Sequence, residues 1–83
     1  MTAKERIQAM QANGSSLILL ANANGRAWTL RTMDQRGNLS DNMHLLMEEI
    51  PFGWATYADA IAYTRAAGLT IDFVARSVWE LVN

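Results

Sequence analysis

The chain of 83 residues has a single histidine, and it stands between two carboxylates: Asp41-x-x-His44-x-x-x-Glu48. On an α-helix, offsets of three and four return to the same face, so the three side chains would stand together. Two carboxylates and an imidazole are donors that a divalent ion accepts. The same residues also make an ordinary solvated face on a short helix. Metal sites usually draw a ligand from a second element and support it with further hydrogen bonds, and no such second element is apparent here. The solvated face is the reading adopted, so no metal and no cofactor is expected. Glu48 and Glu49 are adjacent and diverge on a helix, which argues against general acid/base work. The absence of cysteine excludes thiolate nucleophiles, disulfides and thiolate metal sites. No nucleophile elbow, phosphate loop or dinucleotide fingerprint is present. No catalytic residue is expected, and the chain is read as a non-enzyme.

Nucleic-acid binding is the second chemistry considered. Arg26, Arg31 and Arg36 lie in or beside a hairpin that also carries Trp28, and arginine next to an aromatic ring can stack on single-stranded bases. Trp28 and Arg31 differ by an odd number of positions, however, and so fall on opposite faces of a strand. The sequence Gly68-Leu69-Thr70 resembles the joint of a helix-turn-helix, but Arg76 is flanked there by Asp72 and Glu80 and the face is acidic. A small nucleic-acid-binding regulator using the three arginines is kept as the alternative function.

Protein binding is the third. Phe52, Trp54, Tyr57, Tyr63, Phe73 and Trp79 all lie in the C-terminal half. Large rings anchor interfaces because they bury much area at small entropy cost. They also fill cores, but a domain this small has limited room for six. The candidate binding residues are Phe52, Trp54, Tyr57, Asp59, Phe73, Asp72 and Glu80. In PFGWATYADA, residues 51–60, one ring of the Phe52/Trp54 pair is expected to pack inward and the other, Trp54, to be partly exposed or covered by a second chain.

Charge supports that choice. The net charge is −1, yet residues 1–40 carry Lys4, Arg6, Arg26, Arg31 and Arg36 against Glu5 and Asp34. Residues 41–83 carry Arg65 and Arg76 against Asp41, Glu48, Glu49, Asp59, Asp72 and Glu80. The acidic half suits a basic-surfaced partner, and the bipolar chain suits association of two copies. Hydrophobic residues make up 51% and charged residues 18%, an apolar excess that a homodimer would bury. No run is long enough for a signal sequence or a membrane span, so no membrane role and a cytoplasmic location are expected. The sequons at Asn13 and Asn38 read as turns.

The elements that must position these residues follow from local signals. Thr2-Ala-Lys-Glu5 has capping-box spacing and starts a helix with Ala3, Ile7 and Met10 on one stripe; Asn13-Gly14 closes it. Two strand-like runs meet at Asn24-Gly25, a type I′ turn pair. With a two-residue loop, Ala23 faces Arg26, Ala21 faces Trp28, Leu19 faces Leu30 and Leu17 faces Thr32. These put Leu17, Leu19, Ala21, Trp28 and Leu30 on the core face; the other face, with Ile18, Leu20, Ala27, Thr29, Arg31 and Met33, is mixed. A second helix over 41–49 ends at Pro51. A third runs from its cap at Thr56, again with capping-box spacing to Asp59, to Gly68. The tail, residues 70–82, wheels cleanly as a helix capped by Thr70: Ile71, Val74, Ala75, Val78, Leu81 and Val82 form one apolar arc, Phe73 falls outside it, and Asp72, Arg76 and Glu80 stand in one row. The alternative is a third strand that pairs with the hairpin.

The expected fold is α+β, one domain over residues 1–83: an N-terminal helix, a β-hairpin, then two to three helices packed on it. The expected function is non-enzymatic binding to another protein, in one version as a stoichiometric inhibitor encoded by a phage or mobile element and acting on a host protein complex.

Overall fold

The computed structural model describes residues 2–21, 27–39, 49–51, 53–77 and 80. Its elements are α1 (Ala3–Ala12), β1 (Ser16–Ala21), β2 (Trp28–Met33), α2 (Tyr57–Ala67) and β3 (Phe73–Ala75). The fold is α+β, with a three-stranded mixed sheet in the order β2-β1-β3. Among the described residues no helix is long and apolar enough to cross a membrane.

The caps form where the sequence places them. The Thr2 hydroxyl accepts from the Glu5 amide while the Glu5 carboxylate accepts from the Thr2 amide, closing the capping box of α1. The Glu49 carboxylate accepts from the Ala3 amide at 2.7 Å, so a third donor of this helix start is satisfied from a distant segment. Thr56 caps α2 through its hydroxyl, which accepts from the Asp59 amide at 3.1 Å. Gly68 ends α2 with φ of 72°, the left-handed conformation that glycine adopts at least cost.

The hairpin register is the expected one: Leu17 pairs with Thr32, Leu19 with Leu30 and Ala21 with Trp28. The expected Asn24-Gly25 turn and Ala23–Arg26 pair lie outside the described residues, as do residues 41–48 of the helix expected over 41–49. One core lies on the expected face, where Leu17, Leu19 and Leu30 meet Ala3 and Ile7 of α1, Ala60 of α2, and Ile50 and Leu69. The opposite face is more buried than its mixed composition suggests. Ile18 and Leu20 form a second cluster there with Ala75, and Met33 and Leu39 pack against it. Strand β1 is therefore apolar on both faces because it is the central strand, buried from both sides.

The tail is where the sequence reading needs correction. Residues 73–75 are not helical; they form β3, which pairs parallel with β1 in the register Ile18–Phe73, Leu19–Val74 and Leu20–Ala75. The third-strand alternative is the one realised. Thr70 caps no helix there, and its carbonyl accepts from the Gln11 side chain at 2.8 Å. The supposed Asp72–Arg76–Glu80 row does not exist as a helical face. Instead the Glu80 carboxylate accepts from the Arg76 backbone amide at 2.9 Å, just past the end of β3. A helix over 70–77 would leave the second edge of β1 without a partner, and the β-branched Val74 suits the strand.

Candidate functional site

The two edges of the sheet are treated differently. On the β2 side, Trp28 and Trp54 exchange two backbone hydrogen bonds, the Trp28 amide donating to Trp54 at 2.7 Å and the Trp54 amide donating to Trp28 at 2.9 Å. Gly53 permits this approach, since a Cβ there would lie 3.1 Å from the Trp28 carbonyl oxygen. Farther along the same strand, Met33 bridges Leu39. Aromatic side chains buttress this corner. Trp28 meets Tyr57 edge-on, with ring centroids 5.3 Å apart, and Trp54 lies 5.1 Å from Tyr63. The Tyr63 hydroxyl donates to the Glu49 carbonyl at 3.0 Å. Glu49 thus ties the start of α1 to α2, and the β2 edge is covered near both its ends, at Trp28 and at Met33.

The β3 side is open among the described residues. What holds β3 in place is Asp72, at the step before the strand. Its carboxylate Oδ2 accepts from the Leu17 amide at 2.7 Å and from the Gln11 side chain at 2.9 Å. Its own amide donates to the Leu17 carbonyl at 2.9 Å. The junction between α1 and β1 thereby grips the start of β3. Beyond it, Phe73 is 52% exposed and Val74 is 46% exposed, while Ala75 is buried against Ile18 and Leu20. Successive strand residues alternate faces, so Phe73 and Val74 display apolar surface on the two opposite sides of the edge.

The backbone of β3 can be oriented from its neighbours. The Trp28 amide and carbonyl point to Trp54, away from β1. Alternation along the antiparallel pair then turns the polar groups of Leu17, Leu19 and Ala21 toward β3. In the parallel register, Phe73 and Ala75 answer them, and the amide and carbonyl of Val74 face outward. An edge of this kind is a template for a further strand.

The sequence-derived candidates divide between the two edges. Asp72, Phe73 and Glu80 gather at β3. Trp54 and Tyr57 belong to the covered corner, where Trp54 is partly exposed as expected and Tyr57 is 45% exposed. Asp59 lies in the first turn of α2 and is exposed. Phe52 lies outside the described residues. Val74 falls within the apolar arc of the expected tail helix, and its exposure is legible only once the segment is known to be an edge strand. The signal for that strand is Leu17-Ile18-Leu19-Leu20, an unbroken apolar run that marks a central strand with a neighbour on each side.

Arg26 lies outside the described residues, Arg31 is half-buried on the sheet face opposite Trp28, and Arg36 is exposed in the loop after β2. That loop and the end of α1 line an open polar depression that includes Asn13, Ser15, Gln35 and Asn38. Its one carboxylate, Asp34, is occupied by its own loop, accepting from the Asn38 and Arg36 amides, both at 2.9 Å. These bonds, the Asn38 amide foremost, hold the Asp34 carboxyl below its ordinary range. The depression is a turn capped from within. Asp41, His44 and Glu48 lie outside the described residues, and among the described residues no three His, Cys, Asp or Glu side chains cluster as a metal site would require. No family model, curated protein or solved structure matches the chain.

Proposed function

We propose that the chain is a non-enzymatic protein-binding module that works by stoichiometric contact through the outer edge of β3. The observation that carries this reading is the exposure of Phe73 and Val74 on opposite sides of one edge strand. An added strand would satisfy the outward amide and carbonyl of Val74 and cover both side chains at once. The contrast between the edges adds support, since β2 is covered at Trp28 by Trp54 and at Met33 by Leu39. Natural sheets suppress unwanted pairing at their edges, so an edge left apolar invites a functional explanation.

The test is selection of extended peptides from a random library on the immobilised protein. The expected outcome is enrichment of alternating β-branched and aromatic sequences whose binding is lost in Val74→Pro. Proline removes the outward amide, and an edge strand tolerates it there because no bond to β1 is given up. Peptides that bind wild type and Val74→Pro equally well would remove β3 as the site.

A further inference from the structure

We infer that the partner strand at β3 is β3 of a second copy of this chain, paired antiparallel about a two-fold axis through Val74. The inference rests on β3 being the binding edge and adds the identity of its occupant. The argument is self-complementarity. The segment reads Asp72-Phe73-Val74-Ala75-Arg76. Antiparallel pairing centred on Val74 sets each Val74 opposite its own copy, each Phe73 opposite the small Ala75 of the mate, and each Asp72 opposite the mate's Arg76. The two-fold axis produces that charge pair twice, as an isologous interface requires.

Each contact uses a group that the fold leaves available. The Val74 amide and carbonyl point outward and would exchange two hydrogen bonds across the axis. Leu17 and Gln11 both use Oδ2 of Asp72, leaving Oδ1 for an incoming guanidinium. Glu80 engages the Arg76 backbone amide, and the Arg76 side chain is exposed and placed to reach across. Opposite charges directly across an antiparallel pair stabilise it, and a large ring beside a small residue packs without collision. The reversed alignment fails: a parallel mate would set Asp72 against Asp72 and Arg76 against Arg76. The predicted assembly is a dimer whose sheets join into one continuous sheet through β3.

Light scattering over a concentration series from micromolar to millimolar tests the inference. Wild type should approach twice the single-chain mass of 9.2 kDa as concentration rises. Val74→Pro should raise the dimer dissociation constant about tenfold or more by removing the two central hydrogen bonds. Arg76→Glu alters only an exposed side chain and faces Asp72 with a like charge; it should weaken the dimer about three- to tenfold at low salt, less at high salt. Circular dichroism should show both variants folded; should Val74→Pro fail to fold, Arg76→Glu decides. A dimer that neither variant weakens would overturn the inference, because another surface then holds it. A single-chain mass throughout the series would also overturn it. In that case the peptide selection judges the broader reading by itself: peptides lost with Val74→Pro keep β3 as a binding edge without the second copy, and peptides indifferent to the change remove both.

Discussion

Asp72 and Leu17 hold each other through two hydrogen bonds, with the Leu17 amide donating to the Asp72 carboxylate at 2.7 Å and the Asp72 amide donating to the Leu17 carbonyl at 2.9 Å. The pair joins the first residues of the central strand to the threshold of β3, so the position of the exposed edge depends on it. Asp72→Ala strands the Leu17 amide and leaves the Gln11 side chain held by the Thr70 carbonyl alone. The expected cost is about 1–3 kcal/mol in urea unfolding, the range for a donor left without its acceptor. Asp72→Asn keeps an oxygen acceptor and should cost less. In both variants hydrogen exchange should accelerate in β3 before it does in β2, because only β3 loses its clamp.

Gly53 and Trp28 make the opposite edge. Adding a methyl group at Gly53 places it 3.1 Å from the Trp28 carbonyl and 3.4 Å from the Thr29 methyl. Gly53→Ala should therefore push the Trp54 segment outward and weaken its two bonds to Trp28. The expected result is a loss of near-ultraviolet dichroism from the Trp28–Tyr57 and Trp54–Tyr63 contacts, with a destabilisation of about 1–2 kcal/mol. If this edge opens, Gly53→Ala should also associate more readily than wild type, since a blocked edge has become available.

Gly68 and Lys4 set the exit from α2. The residue has φ of 72°, and a Cβ there would meet the Lys4 amine at 2.7 Å. Gly68→Ala should cost about 1–2 kcal/mol in thermal or urea unfolding, from the left-handed backbone of a residue with a Cβ. Lys4 is flexible and should move aside, so Lys4→Ala combined with Gly68→Ala should recover little. Gly68→Asn should be milder than alanine, because asparagine tolerates this conformation better.

The capping box gives stability a defined pH dependence. The Thr2 amide and then the Thr2 hydroxyl, both hydrogen-bonded to the carboxylate, hold the Glu5 carboxyl below its ordinary value. A carboxyl with a lowered folded value contributes stability above the unfolded value, and that contribution is lost as pH falls through the folded one. The contribution should therefore be complete above the ordinary glutamate value of about 4.3 and fade below it. Asp34, lowered chiefly by the Asn38 amide, acts in the same direction. Glu5→Gln preserves the box geometry without the titrating proton. Its unfolding midpoint should fall less steeply than that of wild type between pH 5 and the acid limit, about 2.

Much of this framework is legible in the residues themselves. Thr2 with Glu5, Thr56 with Asp59, and Gly68 are local devices whose chemistry reads directly from spacing, and the hairpin register follows from Asn24-Gly25 and alternation. The tail is different. Over residues 70–82 the apolar positions fit a helical wheel, and no nearby residue reports that β1 needs a second neighbour. That information sits fifty residues earlier, in the unbroken run Leu17–Leu20, and in Asp72 as the acceptor for the Leu17 amide. The candidate site inherits the same gap. Phe73 falls outside the helical arc, and it is exposed in the structure for another reason, as part of an edge strand. Val74 falls within that arc, where nothing marks it as exposed. Asp72 and Glu80 read as an acidic rim, whereas their carboxylates accept backbone amides at the two ends of β3.

The central claim is that β3 binds β3, and its register is open to a direct measurement because the chain has no cysteine. Val74→Cys and Phe73→Cys each introduce one thiol at a largely exposed position. In the two-fold pairing, the two Val74 Cα atoms lie about 5.5 Å apart, within disulfide reach. The two Phe73 positions are diagonal neighbours at roughly 7–8 Å, beyond easy bridging. Under mild oxidation Val74→Cys should convert to a covalent dimer much faster than Phe73→Cys, as read on non-reducing gels. Equal rates, faster linkage through position 73, or no linkage at either position would contradict the account.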